Sequence, residues 1–268
     1  MEATTVQDTV LAERRGAVLL LTLNRPDRLN AWTDALEDRY YGLLEEADAD
    51  PEVRAIVVTG AGRGFCAGAD MELLQQIGGP GNEPRAVERP KPRSYPLTIR
   101  KPLIAAINGA AAGLGLVEAL YCDVRFATPA AKFTTAFVRR GLIAEYGIAW
   151  LLPRIAGPSR ALDLLLSGRV VLGEEAYRLG LVDRLCEPDA LVDEAVAYAQ
   201  ELATHSSPAS MAVIKEQVHA AMDATFQEAF TESERQMAAS FGRPDVQEGV
   251  ASYVEQRPPS FPPLTPRS

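Results

Sequence analysis

The chain has 268 residues, 47% of them hydrophobic and 24% charged, enough for one full core or a main domain with an appendage. A formal charge of −9 argues against a nucleic-acid binder, which would present a basic face. Cys66, Cys122 and Cys186 are far apart and odd in number, and His205 and His219 are the only histidines, so reduced thiols and no histidine metal site are expected.

In chain order, residues 9–13 and 17–23 read as two strands turned at Arg15-Gly16. A helix with Thr33 as N-cap follows, placing Leu36, Tyr40, Leu43, Leu44 and Ala47 on one face. Ala55–Thr59 is a short buried strand. The rhythm recurs: strand Leu103–Ile107, a glycine-rich turn, a short helix, and strand Asp123–Ala127. A third pass runs from Lys132-Phe133 through a helix near 146–152 to a Pro158-initiated helix ending at Leu166. This strand-to-helix repetition predicts an α/β domain.

Beyond Asp189 the pattern changes to four helices, at 189–204, 208–222, 225–240 and 244–256, then a proline-rich tail that is extended or without regular structure. A domain boundary falls near 190–205, giving a core of 1–195 and a helical unit of 196–268. Residues 78–96 carry eight glycines and prolines and cannot form a regular element. The stretch also holds Arg85, Arg89, Lys91 and Arg93, so it is either a solvated loop or a phosphate-contacting lid. No segment resembles a signal peptide or reaches membrane-spanning length, and a cytoplasmic location without membrane partners is expected.

Two motifs carry the chemistry. In Gly60-Ala-Gly-Arg-Gly-Phe-Cys-Ala-Gly-Ala-Asp70 a buried strand enters a glycine-rich turn, and a helix is expected from near Asp70. Asn108-Gly-Ala-Ala-Ala-Gly-Leu-Gly-Leu-Val117 repeats the design, with small side chains that let a ligand reach the backbone. Neither is a Walker A loop or a dinucleotide fingerprint.

Together with LTLNRPDRLNA (21–31), AKFTTAFVRRGLIAEYGIAWLLPRIAG (131–157), SGRVVLGEEAYRLGLVDRL (167–185) and EGVASYVEQRPPSF (248–261), these motifs resemble the enoyl-CoA hydratase/isomerase (crotonase) superfamily over nearly the whole chain. The resemblance implies a crotonase-like spiral of ββα units with a C-terminal helical trimerisation domain, assembled as a trimer or a dimer of trimers. It implies an acyl-CoA thioester substrate, with coenzyme A entering as part of that substrate and no permanently bound cofactor or metal. By position, the backbone amides of Ala69 and Leu114 would form an oxyanion hole. The Ala67 carbonyl would meet the adenine beside Gly68 and Asp70. Arg28 would contact CoA phosphates or stand as an exposed turn residue. Phe241 and Arg257 would approach a neighbouring subunit's ligand.

The sequence departs from hydratases of this family, whose two glutamates fall here on Val117 and Phe137. Glu118 is adjacent, but neighbouring helical residues point about 100° apart, which turns it away. Glu145 matches the register of the single glutamate in the Δ3,Δ2-enoyl-CoA isomerases of the superfamily. It is either a favourable acidic residue at a helix start or the acid/base of a double-bond isomerase. An apolar surround of Phe137, Leu142, Ile143 and Trp150 would make it a stronger base. The alternatives are a 2-enoyl-CoA hydratase using Glu145 or Glu118 to position water, and a non-catalytic acyl-CoA binder.

Overall fold

The computed structural model describes residues 9–71, 75 and 89–265. The chain opens with an antiparallel hairpin, β1 (Val10–Arg15) and β2 (Val18–Leu23), turned at Gly16 in the left-handed region. Helix α1 (Asp34–Ala49) begins where expected: the Thr33 hydroxyl accepts from Leu36 N at 3.2 Å. The chain returns as β3 (Ala55–Gly60), parallel to β2, and passes directly into β4 (Gly64–Cys66). The helix expected from Asp70, residue 85 and most of the 78–96 stretch lie outside the described residues.

The second pass is β5 (Leu103–Ile107), β6 (Ala110–Ala112) and α2 (Leu114–Leu120). The third is β7 (Val124–Ala127), β8 (Lys132–Thr134) and α3 (Ile148–Ala156), followed by α4 (Pro158–Ser167). Then come β9 (Val171–Leu172), α5 (Gly173–Leu179), β10 (Arg184–Leu185) and α6 (Leu191–His205). Each pass therefore gives one strand to a six-stranded sheet, ordered β1-β2-β3-β5-β7-β10, and one to a four-stranded sheet, ordered β4-β6-β8-β9. This is the crotonase-type ββα spiral.

Strands β3 and β5 are buried on both faces, which is why they read as unbroken apolar runs. Their alternating side chains feed two cores. Ile56, Val58, Leu103 and Ala105 face the inner core with α1 and α2, while Val57, Ile104 and Ala106 meet Leu191, Ala195, Val196 and Ala199 of α6. The expected boundary at 195 thus falls inside α6, whose apolar face covers the large sheet. The more exposed helices begin after it: α7 (Pro208–Ala221), α8 (Phe226–Ser240) and α9 (Pro244–Val254). The tail runs back extended over the core, where Arg54 donates to the Phe261 carbonyl at 2.7 Å and Arg100 to that of Thr265 at 2.8 Å. No helix among the described residues is long and apolar enough to cross a membrane.

Candidate active site

The two glycine-rich turns meet edge to edge. After β4, Ala67 N bonds to Leu29 O (3.0 Å), Trp32 N to Gly68 O (2.7 Å) and Asp70 N to Trp32 O (3.0 Å). The backbone is therefore tied on both sides of Ala69, while the Ala69 amide itself donates to no described residue. The receiving segment, Leu29 to Trp32, is fixed by Asn30. That residue is fully buried and left-handed (φ 56°), and its side chain donates to Ala61 O and Gly64 O and accepts from Arg25 N. Asn30 appears in the sequence only as one letter of a matching stretch, since the two carbonyls it donates to lie more than thirty positions away.

At the second turn Gly113 adopts φ 50°, ψ −121°, and its N–H bonds to Thr134 O at 3.0 Å. The next amide, Leu114, opens α2 and likewise donates to no described residue. Gly68 (φ +93°) packs against this turn: a Cβ added there would lie 2.7 Å from Ala112 O and 3.7 Å from Leu114 N. Glycine is required by both conformation and space.

Ala69 and Leu114 both line a cavity of about 260 Å³. Arg28, Ala67, Gly68, Ala69, Asp70, Leu114 and Glu145, all expected from the sequence, line it, together with Phe137, Arg140 and Tyr146. Asp70 is only 6% exposed and its carboxylate is held by Arg25 at 3.0 Å, so it buttresses the wall. Glu145 is half-buried. It lies ahead of α3, which starts at Ile148 with Gly147 as its cap and has no acidic residue in its first turn. A helix-start role for Glu145 is correspondingly weak.

Glu145 is followed by two consecutive left-handed residues, Tyr146 (φ 55°) and Gly147 (φ 73°). Tyr146 is gripped on three sides. Its carbonyl accepts from the Tyr121 hydroxyl, its ring lies 6.3 Å from that of Phe137, and the Arg93 guanidinium sits 4.7 Å over its face. Burial raises the Tyr146 phenol, Arg93 opposes that shift, and Glu145 adds to it.

Several expectations need correction. Phe137 and Leu142 do line the cavity, but Ile143 is 80% exposed, and Trp150 stacks on Arg154 (4.0 Å) and donates to Asp223 instead. The basic residues of 89–93 are committed to acidic groups of α1: Arg89 and Arg93 to Glu37 at 2.6 and 2.9 Å, Lys91 to Glu45 at 3.0 Å. This accounts for their charge without a phosphate. Arg257 is likewise paired with Glu248 at 2.6 Å. Val117 and Glu118 are buried and are not among the residues that line the cavity, and the Glu118 carboxyl meets the Tyr41 hydroxyl.

A family model described as enoyl-CoA hydratase/isomerase matches residues 13–263. The chain is 35% identical over 262 residues to the 1,2-epoxyphenylacetyl-CoA isomerase of Escherichia coli, covering 96% of this chain and 99% of that one. It is 34% identical over 255 residues to the mitochondrial enoyl-CoA hydratase of Pongo abelii, covering 94% and 87%. Among solved structures, an enoyl-CoA hydratase subunit of Geobacillus kaustophilus superposes with a TM-score of 0.86 at 34% identity, covering 94% and 97%. An enoyl-CoA hydratase from Mycobacterium marinum shares 49% identity with a TM-score of 0.68, covering 79% and 97%. The chain belongs to the enoyl-CoA hydratase/isomerase family.

Proposed function

We propose that this enzyme moves a carbon–carbon double bond within an enoyl-CoA thioester, with Glu145 as its single acid and base. The observation that supports this reading is a cavity lined together by Glu145, Ala69 and Leu114, while the other acidic lining residue, Asp70, is engaged by Arg25. The thioester oxygen accepts from the two amides. Glu145 takes a proton from C2 of a 3-enoyl-CoA, the electron pair delocalises into a dienolate whose oxygen the amides hold, and Glu145 returns the proton at C4. The amides bond most strongly when charge has built on the oxygen, so they lower the barrier and not merely the ground state. No activated water takes part, in keeping with Phe137 at one position where a hydratase keeps an acid.

On the same reading, the Ala67 carbonyl receives the adenine beside Gly68, Arg28 meets the phosphates, and coenzyme A is needed only as part of the substrate. Hydration of a 2-enoyl-CoA is the second reading, favoured by relatives such as the Pongo abelii protein that are named hydratases. It would rest on Glu145 alone, since Glu118 does not line the cavity. The test is a product assay on paired 2-enoyl and 3-enoyl thioesters with wild type and Glu145→Gln. Isomerisation that disappears in the variant while acyl-CoA binding persists is expected. Undiminished turnover sinks the proposal, 3-hydroxyacyl-CoA made from the 2-enoyl substrate replaces it with hydration, and binding without turnover leaves a non-catalytic acyl-CoA binder.

A further inference from the structure

Glu118, left unused by this mechanism, is 2% exposed in the interior between α1 and α2. Its Oε1 lies 2.8 Å from the Tyr41 hydroxyl, and the same hydroxyl lies 3.1 Å from the Arg93 backbone oxygen. A phenol carries one proton. Were Glu118 ionised, two acceptors would compete for that proton, and Oε2, which has no partner among the described residues, would be an uncompensated buried charge. An un-ionised acid removes both conflicts: Glu118 donates to Tyr41, and Tyr41 donates to the Arg93 carbonyl. Burial pushes this carboxyl well above its ordinary value, with the Tyr41 bond opposing, Glu37 adding and Arg93 opposing, in agreement with the hydrogen-bond geometry.

The relay ends beside the candidate base. Arg93 is held by its carbonyl through Tyr41 and by its Nε on Glu37 at 2.9 Å, which sets its guanidinium 4.7 Å over the Tyr146 ring. Tyr146 is the left-handed residue next to Glu145, and its carbonyl is bonded by Tyr121, three positions after Glu118. We propose that Glu118 is a positioning residue, kept as an un-ionised acid, whose hydrogen bonds through Tyr41 seat Arg93 on Tyr146 and so aim Glu145 into the cavity. The inference rests on Glu145 being the acid/base.

Isotope-edited difference infrared spectroscopy on the whole protein tests the protonation state without reference to turnover. The carbonyl stretch of an un-ionised carboxylic acid is expected at neutral pH and should vanish in Glu118→Gln. A carboxylate signal for Glu118 overturns the relay. Kinetics tests the positioning: Tyr41→Phe and Arg93→Lys should each lower kcat about tenfold with KM changed less than about twofold, because a misaimed base loses rate while substrate binding persists. Unchanged kcat in Arg93→Lys, the variant that leaves the buried hydroxyl in place, overturns it. Failure of the isomerase reading itself would show separately, as undiminished turnover in Glu145→Gln.

Discussion

Gly68 and Leu114, forty-six positions apart in sequence, are in direct backbone apposition: a Cβ on Gly68 would come within 3.7 Å of the Leu114 nitrogen. The same Cβ would lie 2.7 Å from the Ala112 carbonyl, which is backbone and cannot swing aside. Gly68→Ala must therefore push the two turns apart and also adopt a φ of +93° that alanine resists. On the proposed mechanism, the two amides then no longer converge on one oxygen. We expect kcat to fall on the order of a hundred- to a thousandfold, the loss seen when an oxyanion donor is removed. Steady-state kinetics on an enoyl-CoA checks this, and a folded variant with wild-type kcat would dismiss the two-amide arrangement.

Arg25 and Asp70 illustrate how a cavity wall is held. Asp70 is nearly buried, and Arg25 bridges it to the Ala31 carbonyl. Arg25→Ala removes this ion pair, and breaking a buried pair from one side costs up to about 3–5 kcal/mol. The double change Arg25→Met with Asp70→Leu should recover part of this, because apolar groups of similar size replace the buried ion pair. Urea denaturation of the three proteins measures it; a double variant no better than the single one would show that the ion pair is not what matters.

Much of this was legible in the sequence because the signals were local. Strands β3 and β5 are continuous apolar runs, Thr33 caps α1, and prolines open α4, α7 and α9. Six of the seven expected cavity-lining residues follow two turns and one register match, and Arg28 follows the 21–31 stretch. What escaped reading is long-range or short. Strands β4, β6, β8 and β9 have three residues or fewer, too few for any period to appear. The pairing of Arg89 and Arg93 with Glu37 spans more than fifty positions, so those cations looked free for a ligand. The direction of Glu118, by contrast, follows from helical rotation alone, though its partner Tyr41 does not.

The protonation of Glu118 also has a thermodynamic signature. Its proton is held more tightly in the folded chain than at the ordinary carboxyl value of 4.5. A raised folded-state pKa contributes stability that is complete below the unfolded value and declines as pH rises toward the folded one. Glu248 has the opposite sign: its bonds from Arg257 and Ser260 N pull it down to about 2, so its contribution is present above 4.5 and lost in acid. Between about pH 5 and 8 Glu118 therefore contributes a falling slope, and His219, lowered by burial, a rising one. Glu118→Gln should lose the falling contribution across that window in denaturant titrations, and an identical slope would mean that Glu118 is ionised.

The last prediction concerns assembly. On α8 and its C-cap, Phe226, Phe230, Met237 and Phe241 are all exposed, Phe226 at 82%. At 3.6 residues per turn these four positions fall within about 60° of one another, a single apolar stripe. Tyr253 (86%) and Val254 on α9 add to the exposed apolar surface of the C-terminal helices. Large aromatics left in water cost about 1.5–3 kcal/mol each relative to burial, so a partner surface is favoured. We expect a trimer or a dimer of trimers in sedimentation velocity. Phe226→Asp with Tyr253→Asp should shift it toward monomer while the circular dichroism of the ββα core is retained, since neither side chain packs into that core. A wild-type protein that sediments as a monomer at every concentration would remove the case for self-association.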